Sequence, residues 1–349
     1  MRPEPFRIEP VFSPRLWGAR SLAPLFPEKS NLTEPLGEAW LTGVDCKIAT
    51  GPFAGKTLGA AWREMPLEWR GTRLSATADF PILVKFIFPN DKLSIQVHPD
   101  DAYAASHEQA AGGRGKTEMW HAVSAEPGAQ VLVGLVPKAR AQHFLKAIET
   151  QTLEHLFVHW RVQTGDTFFV PAGTPHTIGP GMVLCEVQEY SDLTYRVYDY
   201  GRVDAHGKPR ELHIEKALNV IDFGRPISGK TSRIHLPGHG MQNSLLTACR
   251  YFATERWKIT APIEALSDSG HFDLLVILTG SGNFTWGNAP ATYQSGECWL
   301  IPGGLGKFSV NPNEPSKLLR TYVPDLAALR ANLERDGHSW REIAKTVFD

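Results

Sequence analysis

Several residues in the first half of the chain have the types and spacing of a metal site. A strand through KLSIQVHPDD would place Ser94, Gln96 and His98 on one face, because side chains alternate along a strand. Glu118 follows in GRGKTEMWHAV, and His176 ends the phrase GDTFFVPAGTPH. Two imidazoles, a carboxylate and the amide oxygen of Gln96 suit a divalent cation, with zinc the leading candidate and one position open for water or substrate. Taken alone, each residue would be interpreted as hydrogen-bonded core or surface, so the prediction depends on the set.

The phrase that ends at His176 recurs in the second half of the chain. The two copies read Gly165-Asp-Thr-Phe-Phe-Val-Pro171-Ala-Gly173-Thr-Pro-His176 and Gly296-Glu-Cys-Trp-Leu-Ile-Pro302-Gly-Gly304-Leu-Gly-Lys307. A repeated strand–turn–strand phrase predicts two similar β units. The second copy ends in Lys307, whose ammonium has no lone pair to donate to a metal. We therefore expect one metal-binding unit, with one zinc ion per chain, and one metal-free unit.

The elements that position these residues are predicted to be mainly β-strands. Short apolar runs broken by Gly, Pro and Asp, such as PILVKFIF, DTFFVP, FDLLVILTG and CWLIP, are typical of antiparallel jelly-roll barrels. Helical periodicity is confined to residues 56–65, 101–109, 138–157 and 325–347, the last as an amphipathic tail packed on a sheet. The segment GSGNF at 280–284 lacks the helix and the Lys-Ser/Thr of a phosphate loop, so we predict a hairpin turn there.

Length and composition favour two domains. The chain has 349 residues and becomes polar and turn-rich between residues 210 and 240. We therefore predict a metal-binding domain with a helical insert over 1–230 and a metal-free domain with a C-terminal helix over 231–349. The four cysteines are widely spaced and are expected to be buried free thiols: Cys46, Cys185, Cys249 and Cys298.

Charge and hydropathy exclude several classes of partner. A net charge of −1 argues against a general nucleic-acid or anionic-membrane surface. No apolar run approaches the roughly 18–20 residues that a membrane helix needs. The first residues have no apolar core typical of a signal peptide, so we expect a cytoplasmic protein. A small-molecule substrate and a monomer or homodimer remain as the expected partners.

The motifs carry a resemblance to a known family. The spacing Gly-x5-Pro-x-Gly-x2-His is similar to the second motif of the cupin superfamily. The strings KLSIQVHPDDAYA, GKTEMW, VPAGTPH and EVQEYSDLTYRVYDYGR, in that order, closely resemble the type I mannose-6-phosphate isomerases, as do LWGARSL and GEAW. The resemblance spans residues 16–202. It implies two cupin-like jelly-roll barrels, the second degenerate, and a zinc-dependent isomerase that interconverts mannose 6-phosphate and fructose 6-phosphate through an enediol.

The resemblance also implies roles for individual residues. It places the zinc ligands on the residues already selected by spacing: Gln96, His98, Glu118 and His176. It marks Arg196 as catalytic, and it assigns the substrate phosphate to Ser94 and Lys85. A lysine inside so apolar a strand should face a partner or a cavity, although protection of a sheet edge is an alternative.

Two further residues are candidates for proton transfer. Glu186 follows an apolar run and alternates with Gln188, so both should face the cavity. There Glu186 could act as an acid–base group, or pair with Arg196 or Lys116. Lys116 is expected to stabilise charge or relay a proton. The family usually reads Gln-Gln-Asn-Ser-Asp where this chain reads QEYSD from Gln188, and Pro180 stands where typical cupins have Asn.

Two other functions are weighed against the isomerase. An iron-dependent cupin oxidoreductase usually needs His-x-His, and Gln96 at the first of these positions disfavours it. A sugar-binding cupin without catalysis would not require Lys116, Glu186 and Arg196 around the ligands.

Overall fold

The computed structural model describes residues 2–75, 78–204, 206–225, 229–238, 240–287 and 289–349. The first strands in chain order are β1 (Phe6–Ile8), β2 (Val11–Ala19), β3 (Leu36–Trp40), β4 (Ile82–Ile87), β5 (Ile95–Val97), β6 (Glu118–Ala125), β7 (Gln130–Leu135), β8 (Phe157–Arg161), β9 (Thr167–Val170), β10 (His176–Ile178), β11 (Met182–Glu189) and β12 (Tyr195–Tyr198). They are followed by β13 (Ile234–Leu236), β14 (Gln242–Ala248), β15 (Ala253–Ile259), β16 (Ile263–Leu266), β17 (Asp273–Thr279), β18 (Ser281–Trp286), β19 (Ala289–Gln294), β20 (Cys298–Ile301), β21 (Lys307–Pro312) and β22 (Ser316–Tyr322). The helices are α1 (Leu58–Glu64), α2 (Leu67–Arg70), α3 (Asp101–His107), α4 (Ala141–Glu149), α5 (Ile214–Val220), α6 (Leu326–Arg335) and α7 (Trp340–Ile343).

The strands form two units, each made of two antiparallel sheets. The first unit pairs a six-stranded sheet, β2-β3-β4-β11-β6-β9, with a five-stranded sheet, β12-β5-β10-β7-β8. The second pairs a seven-stranded sheet, β1-β20-β17-β22-β15-β14-β13, with a four-stranded sheet, β16-β21-β18-β19. The prediction of a mainly β protein is therefore confirmed.

The two predicted jelly-roll barrels are not closed. Within the described residues, no ladder of hydrogen bonds joins the two sheets of either unit. The chain instead turns corners between sheets, which leaves their edges open. Gly280 is one such corner: its φ of +92° directs the chain from β17 in the large sheet to β18 in the small one. The hairpin predicted over 280–284 is accordingly wrong as well.

The repeated phrase adopts the same strand–turn–strand form in both units. In the first, β9 leads through Gly173 to β10; in the second, β20 leads through Gly304 to β21. Gly173 has a φ of +81°, and a Cβ there would lie 3.0 Å from the Val220 carbonyl oxygen. Glycine is required because both the positive φ and the nearby Val220 carbonyl group disfavour a side chain at this position.

Capping and turn residues determine where several of the helices begin and end. Asp100 accepts a hydrogen bond from Tyr103 N at 2.8 Å where α3 begins. The predicted helix over 138–157 is shorter, since it comprises α4 and then a 3₁₀ turn at Leu153–Leu156. The predicted tail helix is divided into α6 and α7, because Gly337 with a φ of +93° stands between them. Neither α2 nor α5 was predicted. None of the described helices is both long and apolar enough to span a bilayer.

The largest apolar core lies between the two units. The outer face of the six-stranded sheet supplies Phe86 and Cys185, and the seven-stranded sheet supplies Leu246 and Leu319. All four cysteines are free and buried, as predicted. The N-terminal strand β1 also links the units, because it pairs with β20 at the edge of the second unit's large sheet. The domain boundary near residue 230 stays a prediction.

Gly71 lies where the backbones of the two units approach each other closely. The residues that follow it form backbone hydrogen bonds to the second unit, Thr72 N to Ser269 O at 3.1 Å and Arg73 N to Gly270 O at 3.0 Å. A Cβ on Gly71 would lie 2.2 Å from the His271 Cα.

Gly71→Ala should therefore separate the two units locally. We expect a loss of about 1–3 kcal/mol in the free energy of unfolding from this overlap, in addition to the cost of alanine at the positive φ of +100° that Gly71 adopts. Gly55→Ala is the matched control, because Gly55 has a φ of +86° and no atom within 4 Å of its Cβ position. Urea denaturation measures both variants. Equal losses would contradict close packing at Gly71.

Candidate metal centre

Adjacent strands of the five-stranded sheet bring three polar side chains into one row. Gln96 on β5 stands directly opposite His176 on β10 and opposite Arg196 on β12. On the facing sheet, Glu118 at the start of β6 is the partner of Gln188 on β11. The predicted strand alternation is thus confirmed for Gln96.

His98, Glu118 and His176 form a compact buried cluster. Their potential ligand atoms all lie within 4.8 Å of one another. The Nε2 atom of His176 is 3.3 Å from Glu118 Oε1, and the Nε2 atom of His98 is 3.6 Å from Glu118 Oε2. In the described part of the chain, this is the one group of at least three His, Cys, Asp or Glu side chains with such geometry. We call it the His–Glu cluster.

Backbone carbonyls orient both imidazoles. His98 Nδ1 lies 2.8 Å from the Leu193 carbonyl oxygen, and His176 Nδ1 lies 2.9 Å from the Thr174 carbonyl oxygen. A carbonyl only accepts, so each Nδ1 must carry the proton and donate it. Each Nε2 is left with a lone pair directed into the cluster, as metal-ligating histidines require. Burial lowers the pKa of His176 to about 4 and that of His98 well below its usual range, so both rings are neutral.

The carboxylate of Glu118 lacks the partners that burial demands. Its side chain is fully buried, and neither oxygen accepts a hydrogen bond of normal geometry, although Lys116 Nζ lies 2.8 Å from Oε2. A buried carboxylate is unfavourable unless a cation and hydrogen bonds compensate it. Two neutral imidazoles and an unsatisfied carboxylate are a donor set that fits a divalent metal ion.

Gln96 lies beside the cluster. Its Nε2 atom is 3.3 Å from His176 Nε2, and its Oε1 atom accepts a hydrogen bond from Ser94 Oγ at 3.3 Å. A half-turn of the amide would exchange the two atoms and present Oε1 to the cluster. Gln96 can therefore present an oxygen to the cluster, and its role as the fourth ligand stays a prediction.

A network of charges surrounds Glu186, close to the cluster. Its Oε1 atom lies 3.7 Å from Lys85 Nζ and 3.9 Å from Lys116 Nζ, while its Oε2 atom accepts a hydrogen bond from Trp120 Nε1 at 3.1 Å. Burial raises the pKa of Glu186. Burial also acts to lower the pKa of Lys116, but the charges of Glu118 and Glu186 outweigh it and raise that pKa.

A cleft of about 500 Å³ gives access to this network. Six of the predicted site residues line it: Lys85, Ser94, Gln96, Lys116, Glu186 and Arg196. The other three, His98, Glu118 and His176, are fully buried near its floor. Glu186 pairs with the lysines and not with Arg196, whose Nη1 donates to the Glu211 carbonyl oxygen at 2.9 Å. All the predicted residues are therefore assembled in one region.

The structure adds two residues that the sequence interpretation missed. Asp192 lies 3.0 Å from Lys85 Nζ, and Arg210 lines the same cleft. Asp192 lies inside the string EVQEYSDLTYRVYDYGR, so this family motif could have identified it as a candidate site residue. No sequence motif pointed to Arg210, because it lies in a loop outside all of them.

The second unit differs at the equivalent position. Lys307, which replaces the histidine, begins β21, and its side chain is 80% exposed, with Glu264 at 3.9 Å. It points to solvent and not to a cluster of ligands. That the second unit binds no metal stays a prediction.

Removing an imidazole from the cluster should release the metal. His98→Ala and His176→Ala are each expected to lose most of the zinc that the parent protein binds, because each deletes one Nε2 donor. His121→Ala is the matched control: His121 is equally buried, but its Nδ1 lies 2.9 Å from Thr167 Oγ1, away from the cluster. Elemental analysis of the purified proteins decides the question. Stoichiometric zinc in His98→Ala would remove that residue from the site.

Comparison with known proteins identifies close relatives. Residues 6–125 match the family model described as phosphomannose isomerase type I, catalytic domain. The chain is 33% identical over 322 residues to mannose-6-phosphate isomerase ManA of Bacillus subtilis, covering 89% of this chain and 96% of that protein. The crystal structure of the mannose 6-phosphate isomerase from Bacillus subtilis superposes with a TM-score of 0.83 at 29% identity, covering 91% of this chain and 99% of that one. A zinc-bound mannose 6-phosphate isomerase, 16% identical, shares the fold with a TM-score of 0.71 over 91% of this chain and 99% of that one.

Proposed function

Since the chain belongs to the type I mannose-6-phosphate isomerase family, we propose that it interconverts D-mannose 6-phosphate and D-fructose 6-phosphate, with one zinc ion per chain. The observation that carries the proposal is the His–Glu cluster beneath a cleft lined by Lys116, Glu186 and Arg196. A metal-ligand set and an acid–base set on one cleft are what an aldose–ketose isomerisation needs.

The metal would be held by Gln96, His98, Glu118 and His176. Bound there, zinc would supply positive charge that polarises and positions oxygens of the sugar. The neutral imidazoles and the unsatisfied carboxylate support this assignment. The zinc-bound relative supports the choice of metal.

Glu186 is the group that we assign to proton transfer between C1 and C2 of the sugar. Trp120 holds its Oε2 atom by a hydrogen bond, which leaves Oε1 to face the cleft and the two lysines. Burial raises the pKa of Glu186, which makes its carboxylate a stronger base for accepting and returning a proton. The Lys116 ammonium, 3.9 Å from Oε1, stabilises the negative charge that develops on the sugar oxygen as an enediol forms.

The ion pairs of the basic residues in the cleft indicate which of them can bind the substrate phosphate. Lys85, assigned to the phosphate by resemblance, is buried between Asp192 at 3.0 Å and Glu186 at 3.7 Å. Two carboxylates already neutralise its ammonium. We therefore assign Lys85 to holding these carboxylates, and keep Ser94 as a candidate phosphate contact because it lines the cleft.

Among the arginines that line the cleft, Arg196 is the one whose charge is not paired in the described part of the chain. Arg196 has no carboxylate within 4 Å in the described part of the chain, and its Nε is buried without a partner. Arg210 is paired, since it donates from Nε to Asp199 Oδ2 at 2.7 Å. Arg202, which shares Asp199, has Asp91 as a second carboxylate at 3.6 Å. Burial and the charge of Arg210 lower the pKa of Arg196. The unpaired guanidinium of Arg196, with that of Arg210 on the same cleft, suits the phosphate of the substrate.

A sugar-binding protein without catalysis is the alternative from another class. It would bind mannose 6-phosphate without turning it over. The assembly of Glu186 and Lys116 on the cleft speaks for the enzyme, and a coupled assay that detects fructose 6-phosphate separates the two.

Removing the proposed proton carrier should abolish turnover. Glu186→Gln is expected to lower kcat about 10²- to 10⁴-fold while zinc remains bound, because an amide cannot accept the proton. In the parent, kcat should fall as pH drops through the raised pKa of Glu186, where the carboxylate form is lost. Glu189→Gln is the control on the same strand: burial raises the pKa of Glu189 to about 9, so its carboxyl is already neutral at pH 7. Retained kcat in Glu186→Gln would exclude Glu186 as the base.

Weakening the arginine pair should affect binding more than chemistry. Arg210→Gln is expected to raise KM for mannose 6-phosphate about 10- to 100-fold, the value of one or two charge-assisted hydrogen bonds, and to change kcat little. Lys208→Gln removes an equal charge from the same loop outside the cleft lining and should leave KM near the parent value. Steady-state kinetics of both variants measure this. An unchanged KM in Arg210→Gln would place the phosphate elsewhere.

A further inference from the structure

The second unit contains a buried arginine whose charge is not balanced. Arg256 on β15 is 7% exposed, and its Nε is buried without a hydrogen-bond partner. No carboxylate lies within 4 Å of its guanidinium in the described part of the chain, and none of the remaining residues is acidic. Arg256 therefore differs from ordinary buried arginines, which are paired.

Arg320 on the neighbouring strand β22 provides the comparison within the same sheet. It donates to Asp273 from Nε at 3.0 Å and from Nη2 at 3.2 Å, and its Nη1 lies 3.4 Å from Glu255 Oε1. Arg320 and Glu255 stand opposite each other in the register, on the inner face of the sheet. Arg256 follows Glu255 directly and so faces the other side of the sheet, where none of the described carboxylates pairs with it.

Further cations surround Arg256 on that outer face. Lys258 lies two residues along β15 on the same side, and it stands directly opposite Lys317 on β22. Like charges in directly opposed positions destabilise a sheet. Burial and then the charge of Arg233 lower the pKa of Arg256, and the charge of Arg256 is the main cause that lowers the pKa of Lys258. We call the four residues Arg233, Arg256, Lys258 and Lys317 the basic patch.

No ion pair compensates the basic patch within the described residues. The nearest turn of the first unit contains Asp166, but its carboxylate lies 2.7 Å from Lys230 and accepts a hydrogen bond from Gln163 N at 2.7 Å. Gly165 in that turn approaches Arg256 closely: a Cβ there would lie 3.5 Å from Arg256 Nη1. The patch thus meets the first unit at the turn that leads into β9.

We propose that the basic patch binds a phosphate group, either inorganic phosphate or a phosphate monoester. A guanidinium fork with flanking ammonium groups matches the charge and the oxygen geometry of a tetrahedral oxyanion. The site is separate from the cleft, since none of its four residues lines the cleft. A bound phosphate would neutralise the patch where the second unit contacts the Gly165 turn. It would therefore stabilise the packing of the two units.

The test measures thermal stability of the zinc-loaded full chain against inorganic phosphate, with sodium chloride at matched ionic strength. In the parent, phosphate should raise Tm well beyond the chloride effect, as any ligand specific for the folded state does. Arg256→Met, which removes the buried charge and keeps much of the side-chain volume, should raise Tm in phosphate-free buffer. It should also shift the phosphate midpoint at least tenfold to higher concentration. Lys317→Gln, at an exposed position, should shift the midpoint in the same direction without affecting folding.

Two controls separate this site from the catalytic cleft. Lys307→Gln removes an equally exposed charge from the same unit and should leave the phosphate midpoint unchanged. Inhibition of turnover by inorganic phosphate reports the cleft, and its inhibition constant should be the same in Arg256→Met as in the parent. Mannose 6-phosphate also binds the cleft, so only the part of its stabilisation that is lost in Arg256→Met reports the basic patch and shows whether the patch accepts a monoester as well as the free ion. An unchanged phosphate midpoint in both Arg256→Met and Lys317→Gln, or equal stabilisation by chloride, would overturn the proposal.

Discussion

A carboxylate buried without hydrogen bonds is the constraint on which the rest of the structure depends. Glu118 sits between two neutral imidazoles and is paired with the Lys116 ammonium at 2.8 Å, but neither of its oxygens accepts a hydrogen bond. Burial therefore leaves it short of partners that a bound metal ion would supply. The carbonyls of Leu193 and Thr174 determine which nitrogen of each histidine faces inward. Nothing in the packing alone requires this set of groups, so their presence points to a ligand.

The sheets provide the geometry of the site. The candidate ligands come from both sheets of the first unit, so the distance between the facing sheets sets the size of the cluster. Because Gln96, His176 and Arg196 are cross-strand neighbours, the ligand set and the arginine are placed by one hydrogen-bonded register. A slip of one residue would turn these side chains away from the cleft. The large apolar core between the two units holds the six-stranded sheet from behind.

Most buried basic side chains discussed above are paired with carboxylates, but two arginines are not. Lys85 is paired within the site, and Arg320 is paired inside the second unit. Arg196 and Arg256 are the two arginines in the described chain whose Nε atoms are buried without a partner. One lies in the cleft and the other on the outer face of the second unit. We interpret both as binding positions for an anion.

Much of the metal site could be predicted from the sequence, because it depends on local patterns. Strand alternation placed Gln96, and the glycine turn before His176 identified the last candidate ligand. The open edges of the sheets could not be predicted, since strand periodicity reports which residues are buried and not whether two sheets join. Arg210 was missed for a similar reason: its place in the cleft depends on a tertiary contact with Asp199 and on no motif.

The central claim is that this buried cluster binds the metal on which isomerisation depends. The most direct measurement is turnover of mannose 6-phosphate by the purified protein after chelation, with elemental analysis of the same samples, followed by stepwise return of zinc. The account predicts that turnover falls with the metal content and returns in proportion to zinc until one ion is bound per chain. Full turnover in protein shown to be free of metal would contradict it.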